Sequence, residues 1–116
     1  MKFKMIIAIV SDNKTEQILK TAREAGATGC TVIASARGEG LKPSATFLGL
    51  TLEGQRDVVL LLVEEHLSRH ILERIAVAGR FDETVGAGVA FQLDIEDAVG
   101  MGTQIKTIVQ ELEDEL

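Results

Sequence analysis

The chain has 116 residues, 46% of them hydrophobic, only 3% aromatic, with no Trp or Tyr and a formal net charge of −6. That length suits one domain spanning residues 1–116, and the apolar content supports a core built from aliphatic side chains. The negative charge and the lack of stacking aromatics argue against nucleic-acid binding, which wants a basic footprint or base platforms.

Residues Phe3 to Val10 are apolar and β-branched and predict a first strand. The run is too short for a signal peptide's apolar region, lacks a small-residue cleavage site and meets the polar Ser11-Asp12-Asn13. Those three residues are candidate helix N-caps. Ile18, Leu19, Ala22 and Ala25 then fall at helical spacing, with Gly26 as the terminating glycine. Gly29 to Ala36 predicts a second strand, which would hold Cys30 as a small buried hydrophobe. Cys30 is the sole cysteine, so no disulfide forms within one chain, which fits a reducing, cytoplasmic setting.

From about Arg37 to Gln55 the chain fits neither helix nor strand. A loop of that length inside a small domain is uncommon and usually functional or disordered. Its middle, Thr46-Phe47-Leu48-Gly49-Leu50-Thr51-Leu52, is too apolar for a solvated linker and points to a docking segment. Asp57 to Val63 is a continuous apolar run, the pattern of a central strand buried on both faces. Glu64 and Glu65 favour a helix start, Leu67, Ile71, Leu72 and Ile75 form a helical stripe, and Gly79 can end it. Val89 to Ile95 predicts a fourth strand. Ile105, Ile108, Val109 and Leu112 predict a short amphipathic C-terminal helix, frayed by the acidic Glu111, Glu113, Asp114 and Glu115 at the wrong end of its dipole. No apolar run is long enough for a membrane span, so no membrane insertion is expected.

The element order predicts an α+β, ferredoxin-like βαββαβ fold with a long loop between strands two and three and a short C-terminal helix. Both main helices would lie on one sheet face. The C-terminal helix is too small to cover the other, so self-association is expected.

Two glycine pairs stand out, Gly38-Glu39-Gly40 and Gly86-Ala87-Gly88. Each is either an ordinary turn or a place where backbone N–H groups approach an anion. Neither is a Walker loop or a dinucleotide fingerprint. His66 and His70 share a helix face at i, i+4 without a third strong ligand, so no metal site is assigned. Cys30 has no local base, and no nucleophile motif occurs. No catalytic residue is assigned, and the chain is not expected to be an enzyme.

The run Gly26-Ala27-Thr28-Gly29-Cys30-Thr31-Val32, followed by Gly38-Glu39-Gly40, resembles the nitrogen regulatory PII signalling proteins, whose pattern there is Gly-x-Thr-Gly-x-Thr-Val and then a Gly-x-Gly opening the mobile T-loop. Arg56 falls where that family has a basic residue, and Gly86-Ala87-Gly88 is similar to its Gly-Asp-Gly B-loop. The resemblance implies a homotrimeric, non-enzymatic regulator with no obligatory cofactor. An effector would bind between subunits near Thr31, Arg37, Gly38, Glu39, Gly40, Arg56, Gly86, Ala87 and Gly88. The T-loop would dock on a membrane transporter or an enzyme, here through Phe47, Leu48, Leu50 and Leu52.

The pattern departs from the family in charge. Thr84 and Val89 stand where typical members carry B-loop lysines, and Ala98-Val99-Gly100-Met101-Gly102 is uncharged where they carry phosphate-binding arginines. Asp82 and Glu83 add negative charge, leaving Arg37 and Arg56 as the local cations. That favours AMP, ADP or another small anion over ATP, since a triphosphate needs its charge matched. A loop without Tyr excludes tyrosine uridylylation. The runner-up resemblance is to CutA-like trimers, metal-binding or structural, carried by His66 and His70 alone.

Overall fold

The computed structural model describes residues 2–37 and 55–101. The predicted C-terminal helix around Ile105, Ile108, Val109 and Leu112 lies outside the described residues.

Among these residues the order is β1 (Phe3–Ser11), a 3-10 turn (Asp12–Lys14), α1 (Thr15–Glu24), β2 (Thr31–Ala36), β3 (Arg56–Glu64), α2 (Glu65–Gly79) and β4 (Gly88–Asp94). The strands form one sheet in the order β2-β3-β1-β4, every neighbouring pair antiparallel. This is the ferredoxin-like arrangement that the element order predicts.

The core lies between the sheet and the two helices. Ile6, Ala8 and Val10 of β1 and Val59, Leu61 and Val63 of β3 pack against Ile18, Ala22, Ile71 and Ile75, all buried. Because side chains alternate across a strand, the intervening residues face the other way. There β3 shows two environments. Its helix side is buried, but Val58, Leu60 and Leu62 are only half-buried. Among the described residues, the two helices therefore cover one face of β3 and leave the second open.

That open face is apolar across all four strands. Directly opposed residues share a face, so the register sets Met5 beside Leu62 and Leu93, Ile7 beside Leu60 and Phe91, and Ile9 beside Val58 and Val89. Ile33 joins them opposite Val58. Ile33, Phe91 and Leu93 are exposed, at 51%, 37% and 48%. A contiguous apolar patch of this kind marks an interaction surface.

The element ends differ from the sequence reading in instructive ways. Ser11-Asp12-Asn13 does not cap α1: Ser11 ends β1, the next three residues make the 3-10 turn, and Lys14 is the N-cap without a side-chain bond. Lys14 Nζ instead donates to the Gly79 carbonyl at 2.8 Å, placing a cation at the C-terminus of α2. Gly26 does end α1, at φ +116° with its N–H on the Arg23 carbonyl at 3.1 Å. α2 is closed differently. Gly79 is its last residue, and the left-handed turn is made by Arg80 at φ +56°. Cys30 precedes β2, is exposed and lines an open groove beside α1, so it is no core residue. The strand starts two residues later than expected, at Thr31, and its own burial is low because β2 is a sheet edge.

The left-handed Arg80 yields a first prediction. A non-glycine residue there costs roughly 1–2 kcal/mol, while glycine gives back about 0.5–1 kcal/mol in chain entropy. The Arg80–Glu83 ion pair is exposed on both sides and contributes little. Arg80→Gly should therefore stabilise the fold by about 0.5–1 kcal/mol, read as a raised urea midpoint. A lowered midpoint would mean that the Arg80 side chain holds the turn.

Candidate functional site

The sheet register brings both candidate loops to one end of the molecule. β2 ends at Ala36, directly opposite Arg56, the first residue of β3. Arg56 in turn pairs with Ser11 at the end of β1, and the preceding β1 residue, Val10, pairs with Gly88. Gly88 and Arg56 thus stand two strands apart, roughly 10 Å at the usual strand spacing. The base of the long loop and the Gly86-Ala87-Gly88 segment share one end of the sheet.

Arg56 is only 4% exposed, and its Nη1 donates to Ser11 Oγ at 2.9 Å. Ser11 thus holds a candidate site residue, a contact that the sequence reading missed, having taken Ser11 for a helix cap. Only the pairing of β1 with β3 brings the two together, and no local pattern reports it. The next residue, Asp57, turns to the helix side and accepts a 2.6 Å bond from Thr15 Oγ1. The alternation keeps the guanidinium and the adjacent carboxylate on opposite faces of β3.

Arg37 follows β2 and is exposed. The strand leading to it is irregular: its register shifts between Ile33 and Ala36, and Ser35 adopts φ +62°. A left-handed serine stores about 1 kcal/mol or more of strain, at the point where β2 gives way to the loop. Thr31 lies elsewhere. It pairs with Leu60, four residues further along β3 than Arg56, or roughly 13 Å. Thr31 sits on the open apolar face, and within one protomer it is not brought to the glycine segment.

In the other loop, Gly86 adopts φ +77°, a conformation that suits glycine, and Ala87 is buried at 5% exposure. Thr84 N–H bonds the Arg80 carbonyl at 3.0 Å and Ala87 N–H bonds the Thr84 carbonyl at 3.1 Å, so the segment is a folded turn. Asp82 and Glu83 are exposed, Glu83 beside Arg80. Gly38, Glu39 and Gly40, and the docking candidates Phe47, Leu48, Leu50 and Leu52, lie outside the described residues.

His66 and His70 are exposed on α2, and His66 Nδ1 pairs with Glu64. Among the described residues no three His, Cys, Asp or Glu side chains gather as a metal site would require. No helix among them is long and apolar enough to cross a membrane.

The fold and the paired loop bases define a ferredoxin-like domain with both candidate loop bases at one end of its sheet. The family model for the nitrogen regulatory protein P-II matches residues 3–110, and the chain belongs to that family. Comparison with curated proteins found no match. Among solved structures the chain is similar to the apo form of CPII, a nitrogen regulatory PII-like protein from Thiomonas intermedia K12, at 22% identity and a TM-score of 0.63, covering 82% of this chain and 90% of that one. A second structure of CPII, bound to ADP, AMP and acetate, aligns at 24% identity and a TM-score of 0.63 over 84% of this chain and 93% of that one.

Proposed function

We propose that residues 1–116 form one domain of a homotrimeric, non-enzymatic sensor. It binds an adenine nucleotide, AMP or ADP, or another small anion, in clefts between subunits, and regulates a membrane transporter or an enzyme in the cytoplasm. The observation that carries this reading is the convergence of Arg56, the Ala36-Arg37 loop base and Gly86–Gly88 on one end of the sheet. Two glycine-bearing loops and a nearly buried guanidinium make a place where an anion meets backbone donors and one fixed cation. The nucleotides bound to the related CPII support the ligand class.

The uncovered apolar sheet face supports assembly, since Ile33, Phe91 and Leu93 stay exposed on a lone protomer. Thr31 lies on that face, so a neighbouring subunit packed there brings it to an intersubunit site. Docking on the regulated partner falls to Phe47, Leu48, Leu50 and Leu52. Four large apolar side chains on one loop each contribute roughly 1.5–3 kcal/mol on full burial, part of it offset by ordering the loop.

A thermal-shift panel of AMP, ADP, ATP, bicarbonate and divalent metals tests the reading, because a ligand of the native state raises its stability by mass action. AMP or ADP should raise the melting temperature more than ATP does. A rise with divalent metal alone would favour the CutA-like alternative. Arg56→Ala should weaken ADP binding by roughly 1.5–3 kcal/mol, the range for a charge-assisted hydrogen bond. Unchanged calorimetric affinity in a folded Arg56→Ala protein would remove Arg56 from the site.

A further inference from the structure

The turn between α2 and β4 is organised around Phe81. Its ring lies between Gly79, the last residue of α2, and Gly88, the first of β4. A Cβ added to Gly88 would stand 2.5 Å from Phe81 Cε1 and 3.1 Å from the Ile9 carbonyl oxygen, and one added to Gly79 would come closer still to the same ring atom. The ring thus occupies the space of two absent side chains, and the two glycines form a slot for it. Both walls are anchored. Gly79 is buried in the last turn of α2, its carbonyl held by Lys14, and Gly88 is paired with Val10 inside the sheet. The Phe81 N–H is fixed as well, on the Ala76 carbonyl at 3.0 Å. Outside the slot a groove of about 250 Å³ runs between α2 and β4, with Phe81, Asp82 and Gly88 on its wall.

We propose that Phe81 is a positioning residue: clasped between Gly79 and Gly88, it fixes the Asp82–Gly88 turn in the shape that presents the Gly86–Gly88 backbone to a nucleotide. The part concerning the turn stands on the geometry alone. The part concerning affinity rests on the nucleotide reading under Proposed function. Preorganisation is the physical link, because a turn already ordered in the free protein does not have to be ordered at binding. The glycine at 88 then serves packing first, and its missing Cβ makes room for a ring of the same protomer.

The test uses the full chain in four forms, Phe81→Leu, Phe81→Ala, Gly88→Ala and the double variant Gly88→Ala/Phe81→Ala. Two readouts are taken, amide hydrogen exchange of the free protein and calorimetric titration with ADP. Phe81→Ala should speed exchange across residues 82–88 at least tenfold while α1 and the body of α2 keep their protection, and should weaken ADP at least tenfold. Phe81→Leu, which partly refills the slot, should fall between. Gly88→Ala alone should loosen the same turn, and adding Phe81→Ala should add little, since the severe 2.5 Å overlap needs the ring and only the milder 3.1 Å approach to the Ile9 carbonyl oxygen persists without it. Unchanged exchange across 82–88 in Phe81→Ala, or effects of the two substitutions that simply add, would overturn the proposal. If Phe81→Ala fails to fold, Phe81→Leu and Gly88→Ala decide by the same exchange readout. If the unmodified protein shows no ADP binding, the nucleotide reading fails, while the exchange result still decides whether Phe81 sets the turn.

Discussion

Leu60→Asp should turn the proposed trimer into a monomer. Leu60 lies at the centre of the open apolar face, between Ile7 of β1 and Thr31 of β2, with Phe91 one strand further on. It is half-buried on a lone protomer, so an aspartate there remains hydrated in the monomer. In an assembly that covers the face, the carboxylate would lose that water without a partner. Losing leucine burial removes roughly 1.5–3 kcal/mol per site, and burying an unpaired charge adds several kcal/mol more. Even about 3 kcal/mol weakens association roughly a hundredfold, and a symmetric assembly suffers it at every copy. Sedimentation at micromolar concentration reads the result. Val77→Asp is the control, because Val77 is 77% exposed on α2, away from the sheet. An assembly that survives Leu60→Asp would move the interface off this face, and an unmodified protein that is already a stable monomer would remove the trimer and the intersubunit site with it.

Leu61→Ala, one residue further on, should act on the fold instead. Leu61 faces the helices, is 1% exposed and belongs to the core cluster with Ile18, Ile71 and Ile75. Its strand is interior to the sheet, paired on both sides. Truncation there removes the transfer energy of the lost methyl groups and leaves a cavity, together about 2–5 kcal/mol. Against a usual total of about 5–15 kcal/mol that is a large share. The urea midpoint should fall accordingly, compared at one protein concentration because assembly contributes to apparent stability. A loss below about 1 kcal/mol would mean that the groove beside α1, which Leu61 lines together with Leu19 and Ala22, lets the neighbourhood collapse onto the vacancy, as the spread of such measurements allows. The contrast between Leu60 and Leu61 is the alternation of a β-strand expressed as two phenotypes.

Much of this architecture was legible in the chain. The stripe at Leu67, Ile71, Leu72 and Ile75 specifies a helix that buries Ile71 and Ile75 completely. The run from Asp57 to Val63 specifies an interior strand, and the order of strands and helices is enough for the ferredoxin-like sheet. These are consequences of periodicity, which acts between near neighbours in sequence and shows itself there. The resemblance to PII proteins was carried by spacings of Gly and Thr, which a linear pattern also records.

Tertiary structure alone decided the rest. That one sheet face would need cover beyond the two helices was visible, but not how far Val58, Leu60 and Leu62 stay half-buried on it, because burial depends on what is packed against a strand and not on the strand itself. Cys30 looked like part of a strand; β2 begins after it, and pairing with β3 sets that start. Gly79 and Gly88 are nine residues apart and read as a helix end and a loop glycine, yet the same ring fills the space beside both. Ser11 and Arg56 share a bond across 45 residues that follows from the β1–β3 register. Periodicity, turn chemistry and composition are local quantities, and they determined the elements. Register, slots and open faces arise from contacts between distant segments, and only the folded chain assigns them.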